Sequence, residues 1–161
     1  LESPIEKYLK TKGLSFHLLA AFLFSLVFIG LGLIGLGVSQ KWSLPPEWIA
    51  NAVAAGADAP DPFNQEGMIT IAGVTFGFLA GFALWRAKYG VYAIKCSAVK
   101  RLLRYFVGIV GILILYFGLS LIFPEEPVLL GMILRYIRYA LIGFWVTFFA
   151  PLVFKSLHLD V

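Results

Sequence analysis

The sequence predicts an all-α fold, an integral membrane four-helix bundle, and three observations lead to that prediction. Of the 161 residues, 60% are hydrophobic and only 14% are charged, which is more apolar surface than a soluble domain of this length can bury. Four apolar runs are long enough to cross a bilayer, since a spanning helix needs about 20 residues. These runs lack the alternation of polar and apolar residues that membrane β-strands show. We treat residues 1–161 as a single transmembrane domain.

The predicted spans lie near residues 14–39, 67–85, 102–123 and 134–154. Lysine and arginine are divided unequally between the two ends of these spans, ten against three. The larger group is Lys7, Lys10, Lys12, Arg86, Lys88, Lys95, Lys100, Arg101, Arg104 and Lys155, and the smaller is Lys41, Arg135 and Arg138. The positive-inside rule therefore predicts that both termini, and the loop between the second and third spans, are cytoplasmic.

The first outer connection, about residues 40–66, is too long for a simple turn. Its segment PPEWIANAVAAGA starts with two prolines, carries Glu47 in the first turn and has a glycine near its end, a pattern typical of a short helix. We expect this helix to lie on the outer surface, with Trp42 and Trp48 at headgroup level. An irregular loop anchored by the same two tryptophans is the alternative.

The second span carries a ladder of small residues, because Gly73, Gly77 and Gly81 recur at every fourth position on one helix face. Lipid supplies no hydrophobic force between helices, so association depends on close backbone approach along such a groove. The ladder therefore predicts a helix-packing surface. We favour packing within the chain over packing against another subunit.

Few residues could serve as acid, base, nucleophile or ligand. Cys96 is the single cysteine, which excludes an internal disulfide. His17 and His158 have no carboxylate or second histidine at helical spacing, and Asp58 and Asp61 fit ordinary loop chemistry. Neither a triad nor a set of three or four metal ligands is visible. We predict no catalytic residue, cofactor or metal in this chain, and no nucleic acid partner.

The last two spans open with the same pattern, KRLLRYFVG and LRYIRYALIG. Its two arginines share a helix face at a predicted helix start, where neighbouring cations are unfavourable unless an anion joins them. We expect these arginines to contact an anion, in the simplest case lipid phosphate. The positive-inside rule is sufficient to explain the positions of Arg101 and Arg104. Arg135 and Arg138 lie on the side of the membrane where that rule does not favour positive charge.

Arg135 and Arg138 therefore need a partner on the outer side. Lipid headgroups, Glu125 and Glu126, and the acids of the first outer loop are the candidates. Only sixteen residues of the predicted span follow Arg138, roughly 24 Å of helix, so its side chain must start below the interface and extend outward. A structural salt bridge and a lipid contact both remain open, with substrate binding as a weaker third reading.

Two long segments, KRLLRYFVGIVGILILYFGLSLIFP and LRYIRYALIGFWVTFFAPLVF, resemble the C-terminal membrane extension of some bacterial and archaeal members of the type 2 phosphatidic acid phosphatase superfamily. LESPIEKYL and DPFNQEGMITIAGVTFGFLAG fit the same family. Its catalytic motifs, a lysine with a distant Arg-Pro, a Pro-Ser-Gly-His, and a Ser-Arg with a spaced His and Asp, do not occur in this sequence. In relatives with this extension the catalytic helices would lie immediately upstream of Leu1, so no phosphatase residue is carried over.

The resemblance implies a non-catalytic membrane domain with a structural, lipid-contacting role in a prokaryotic cytoplasmic membrane. Its expected partners are membrane lipids, anionic ones above all, together with an upstream catalytic half or other membrane chains. The alternative is a small accessory or scaffold subunit of a larger membrane complex, for example an energy-transducing one. The missing nucleophile and base speak against an enzyme in its own right.

Overall fold

The computed structural model describes residues 11–39, 42–92, 96–123 and 128–159, all of whose regular structure is helical. The helices are α1 (Leu14–Ser39), α2 (Pro46–Ala54), α3 (Glu66–Tyr89), α4 (Ala98–Ile122), α5 (Val128–Phe144) and α6 (Ala150–Ser156), and a π-helical turn, Trp145–Phe149, joins α5 directly to α6. Four continuous stretches are long and apolar enough to cross a membrane: Leu14–Ser39, Glu66–Tyr89, Ala98–Ile122 and Val128–Ser156. The predicted all-α fold with four spans is confirmed.

The short helix predicted in the first outer connection is present as α2. Pro45 is its N-cap, a proline fills its first turn, and Glu47 lies where an acid favours the helix dipole. None of its residues is buried, and Trp42 and Trp48 are about half exposed. Pro46–Ala54 of this connection is therefore a helix and not an irregular loop.

The start of the fourth span is a correction to the sequence prediction. The helix begins at Val128 and not near residue 134, so Arg135 and Arg138 are its eighth and eleventh residues. They do not lie at a helix start, and the exposed N–H groups of a first turn cannot be their reason for attracting an anion. The apolar segment VLLGMIL, which precedes both arginines, simply continues as helix.

The four membrane-crossing helices lie side by side in the order α1, α3, α5, α4. Neighbours α3 and α5 are parallel, because Glu66 pairs with Arg135 at one end while Trp85 meets the Phe148 ring at the other. α1 runs antiparallel to α3, and α4 antiparallel to α5. The described backbones of α1 and α4, at the two edges, do not approach each other.

Burial follows this order. Seven residues of α3 are buried, whereas α1 buries Ala21 and Ser25 and α4 buries Gly111. Large apolar side chains stand exposed along both edge helices. The buried residues concentrate on α3, so the core of the described chain is the seam between α3 and α5.

The seam is closed by glycine on both helices. A Cβ on Gly77 would overlap the main-chain carbonyl of Ala140, and Gly73 and Gly81 also leave no room for one. From the other helix, a Cβ on Gly143 would lie 2.7 Å from the main-chain nitrogen of Phe78. The ladder of α3 thus faces α5 of the same chain, with the two backbones in direct contact.

Side-chain hydroxyls inside the spans are hydrogen-bonded across helices. The Ser25 hydroxyl of α1 is fully buried and donates to the Phe22 carbonyl at 2.7 Å. Its single proton is thereby used, so the Tyr136 hydroxyl of α5 donates to Ser25 over 2.8 Å. Thr147 of the π turn donates to the Phe78 carbonyl of α3 at 3.0 Å. Such bonds stabilise helix pairs where water is absent.

The π turn coincides with a proline. In a regular helix the N–H of residue 151 would bond to the Thr147 carbonyl, but Pro151 has no N–H. The Tyr92 hydroxyl, from the segment after α3, donates to that carbonyl instead. Burial raises the pKa of this phenol above its ordinary value of 10.0. Trp145 Nε1 in turn donates to the Gly108 carbonyl of α4 at 3.1 Å.

Gly77→Leu is expected to disrupt the seam, because its side chain would collide with the Ala140 backbone, which cannot rotate away. Overpacking of this kind costs about 1–3 kcal/mol or more. Thermal unfolding in mild detergent, followed by circular dichroism, should show a clearly lowered midpoint or a loss of the monodisperse species. Gly35→Leu on α1, where a Cβ meets open space, is the matched control and should melt like the wild type. Equal melting of both variants would contradict the seam.

Tyr92→Phe keeps the aromatic ring but removes the donor to Thr147, which should lower the unfolding free energy by about 0.5–1.5 kcal/mol. Pro151→Ala supplies a main-chain N–H that can take over the same carbonyl. In that background Tyr92→Phe should therefore cost less, and a double-mutant cycle measures the difference. An identical cost in both backgrounds would show that Tyr92 does not replace the missing donor.

Candidate anion site

The four arginines singled out in the sequence do not form one site. Arg101 and Arg104 lie in the first two turns of α4, near the end of the bundle where α3 finishes. Arg135 and Arg138 lie toward the opposite end, beside the first residue of α3 and the last third of α4. The structure thus separates them into two pairs with different surroundings.

The Arg104 side chain is hydrogen-bonded to a main-chain carbonyl. Its Nε and Nη2 donate to the Leu159 carbonyl at 2.8 and 2.5 Å, and its guanidinium lies 5.8 Å from the centre of the Phe154 ring. One turn earlier, Lys100 Nζ donates to the His158 carbonyl at 2.8 Å. These side chains hold the segment after α6 against α4. Arg101 is exposed at the surface of the same end.

Arg135 has a carboxylate partner. Its Nη2 lies 2.8 Å from Oε2 of Glu66, the first residue of α3, and the two side chains are 22% and 54% exposed. An acid at a helix N-terminus is also favoured by the dipole. Among the candidate partners named from the sequence, Glu66 of the first outer loop is therefore the one that Arg135 contacts. Glu125 and Glu126, like Lys7, Lys10, Lys41, Lys95 and the segment LESPIEKYL, lie outside the described residues.

Arg138 is surrounded by aromatic rings. Its guanidinium carbon lies 5.6 Å from the centre of the Tyr116 ring on α4 and 5.2 Å from that of Tyr139. The two rings meet edge to face with their centres 6.3 Å apart. Arg138 Nε is buried and has no hydrogen-bond partner in the described structure. The cation is thus held by ring faces, which carry no net charge.

A shallow apolar groove of about 230 Å³ runs along the seam on another face of α5. Its lining residues are Phe76, Gly77, Tyr136, Ile137, Ala140, Leu141 and Phe144. It offers hydrocarbon contact without polar specificity.

The other titratable residues considered from the sequence stand apart from this region. His17 bonds to the Gly13 carbonyl at 2.9 Å, and Asp61 accepts the Phe63 N–H at 2.9 Å, as turn residues do. His158 has a positive φ of 53° in the segment held by α4. Within the described ranges, no group of three or more His, Cys, Asp or Glu side chains could hold a metal ion.

Four apolar membrane-crossing helices with a buried glycine seam define this chain as an integral membrane helical domain. Residues 69–160 match the family model described as PAP2 superfamily phosphatase, transmembrane extension. Because that match covers more than half of the chain, the chain belongs to this family. The resemblance stated from the sequence is confirmed. Comparison with curated proteins and with solved structures finds no match.

Sequence reasoning found the arginines but missed most of what surrounds them. Glu66 was one of several acids in a long loop, and only the parallel packing of α3 and α5 brings it to Arg135. Tyr139 follows Arg138 directly in the chain, which was a usable signal for a ring contact. Tyr116 lies 22 residues earlier on another helix, and no periodicity connects it with Arg138.

Proposed function

We propose that this chain is the non-catalytic membrane domain of a PAP2-type phosphatase, and that it seats the catalytic half in the bilayer while contacting lipid along its two edges. The observation that carries the proposal is the distribution of burial: the core lies in the α3–α5 seam, and α1 and α4 present exposed apolar side chains over most of their length. The family description, an extension of phosphatases, supports the catalytic half as the partner.

The native protein tests this proposal through its intact mass. The 161 residues correspond to 17.8 kDa. Material isolated from its own membrane and analysed by native mass spectrometry should be a substantially heavier single chain that releases phosphate from a lipid phosphate. The 161-residue chain alone should release none. A chain near 17.8 kDa that travels with other proteins would favour an accessory or scaffold subunit, and hydrolysis by the short chain would overturn the non-catalytic role.

The proposal includes an orientation, with both termini in the cytoplasm of a prokaryotic cell. Basic side chains cluster at the end of the bundle formed by the close of α3 and the start of α4, where Arg86, Lys88, Lys100 and Arg101 lie. Glu66 and the exposed Asp58 lie toward the opposite end. The positive-inside rule then assigns the basic end to the cytoplasm.

Cys96, the single cysteine, precedes α4 at the basic end and is partly exposed. In intact bacterial cells that express the chain, a membrane-impermeant maleimide should label Cys96 only after permeabilisation. Asp58→Cys in a Cys96→Ser background is the matched control for the opposite side and should be labelled without permeabilisation. The reverse pattern would invert the proposed orientation.

A further inference from the structure

We propose that Arg138, held between the rings of Tyr116 and Tyr139, binds the phosphate group of one membrane lipid at the Glu66 end of the bundle. This inference rests on the lipid-contacting part of the proposed function and makes it specific. It assigns one residue, one chemical group and one end of the molecule, where the exposed apolar edges alone imply only general lipid contact.

The position of Arg138 along α5 makes its charge costly. It lies about 15 Å along the helix axis from Val128, at 1.5 Å per residue. The uncharged segment that follows, residues 139–154, is about 24 Å long, less than the roughly 30 Å of hydrocarbon in a bilayer. Arg138 therefore starts inside the hydrocarbon region. A charge at such depth is kept where it has a partner or a functional use.

The neighbouring charges do not provide that partner. Glu66 is engaged by Arg135 at 2.8 Å, and this pair is close to neutral by itself. Within the described residues, Arg138 makes cation–π contacts with the rings of Tyr116 and Tyr139. Cation–π contacts stabilise a cation only modestly, while the buried Nε lacks an acceptor. The Arg138 guanidinium is therefore held in place without an anionic partner among the described residues.

Phosphate suits this cation better than a single carbonyl would. The planar guanidinium presents paired donors that match two phosphate oxygens, giving a bidentate, charge-assisted contact. Because both rings restrict the guanidinium, little rotamer freedom remains to be lost when the anion binds.

A lipid is the source of phosphate that the surroundings favour. Large apolar side chains stand exposed on α4 and α5 next to Tyr116 and Arg138, among them Phe117 at 59% and Ile137 at 41% exposure. Acyl chains can lie along these side chains while the headgroup phosphate reaches the arginine from the interface. A small soluble anion would gain no contact from the apolar neighbours and would have to leave water to reach the same depth.

Native mass spectrometry of the delipidated 161-residue chain in mild detergent tests the site. The probes are dioleoyl phosphatidic acid, diacylglycerol with the same two chains, and inorganic phosphate. We expect one phosphatidic acid to be retained at least tenfold better than diacylglycerol, with no competition from millimolar inorganic phosphate. Competition by inorganic phosphate would show that the site takes the free anion, and would overturn the assignment to a lipid.

Arg138→Gln should lower the retention of phosphatidic acid at least tenfold. Arg101→Gln removes the same charge from an exposed position at the opposite end and should leave retention unchanged. Arg138→Lys keeps the charge but loses the bidentate geometry, so it should fall between the wild type and Arg138→Gln. If Arg138→Gln does not stay monodisperse, Arg138→Lys and Tyr116→Leu carry the test, and wild-type retention by both would overturn the site.

The same data separate the site from the proposed function. Equal retention of phosphatidic acid and diacylglycerol by the wild type and by Arg138→Gln would reject the Arg138 site while leaving general lipid contact intact. A chain that retains neither lipid and melts at the same temperature with and without lipid would reject the lipid-contacting role as well. Glu125→Gln/Glu126→Gln should retain phosphatidic acid, and improved retention by this variant would show that a carboxylate, not lipid, is the usual partner of Arg138.

Discussion

The close approach of α3 and α5 is the contact on which the rest of the structure depends. Lipid tails are as apolar as the side chains, so these helices gain little from hydrophobic burial and must gain from packing at short range. Gly77 and Gly143, one on each helix, permit that range. Once the seam is fixed, Glu66 falls beside Arg135 and Thr147 within reach of the Phe78 carbonyl. The order of helices and the placement of charge both follow.

The polar groups inside the spans show how such a seam is kept in register. A glycine groove alone lets one helix slide along the other, because it has no side chains that interlock with those of the neighbouring helix. The Thr147 hydroxyl opposes that sliding, since it donates to one particular carbonyl of α3, and the bond from Tyr136 to Ser25 fixes α5 against α1 in the same way. The π turn serves the same end, because the carbonyl left without a donor by Pro151 is given a partner from outside the helix. The irregular turn is thereby hydrogen-bonded to a residue that is 55 positions away in the chain.

The fold was largely readable from the sequence, because hydrophobic length is a local property of each span. The first span was predicted at 14–39 and runs Leu14–Ser39. The fourth began too late in the prediction, since Arg135 and Arg138 looked like the edge of an apolar run. Their tolerance inside a helix depends on Glu66 and Tyr116, which are remote in sequence and brought close only by tertiary packing. Pro151 within the predicted span was a local sign of the π turn, whereas the Tyr92 contact had none.

The parallel arrangement of α3 and α5 also sets the order in which the domain can assemble. Two neighbouring parallel spans cannot be joined by a short turn, and here α4 carries the chain back between them. Gly77 and Ala140, which meet in the seam, are 63 residues apart. A chain that enters the membrane from its N-terminus can pair α1 with α3 early, but the glycine face of α3 stays uncovered until the last span arrives. Completion of the core therefore waits for the last of these four spans, and a chain that ended within α4 would present that bare glycine face to any other helix in the membrane.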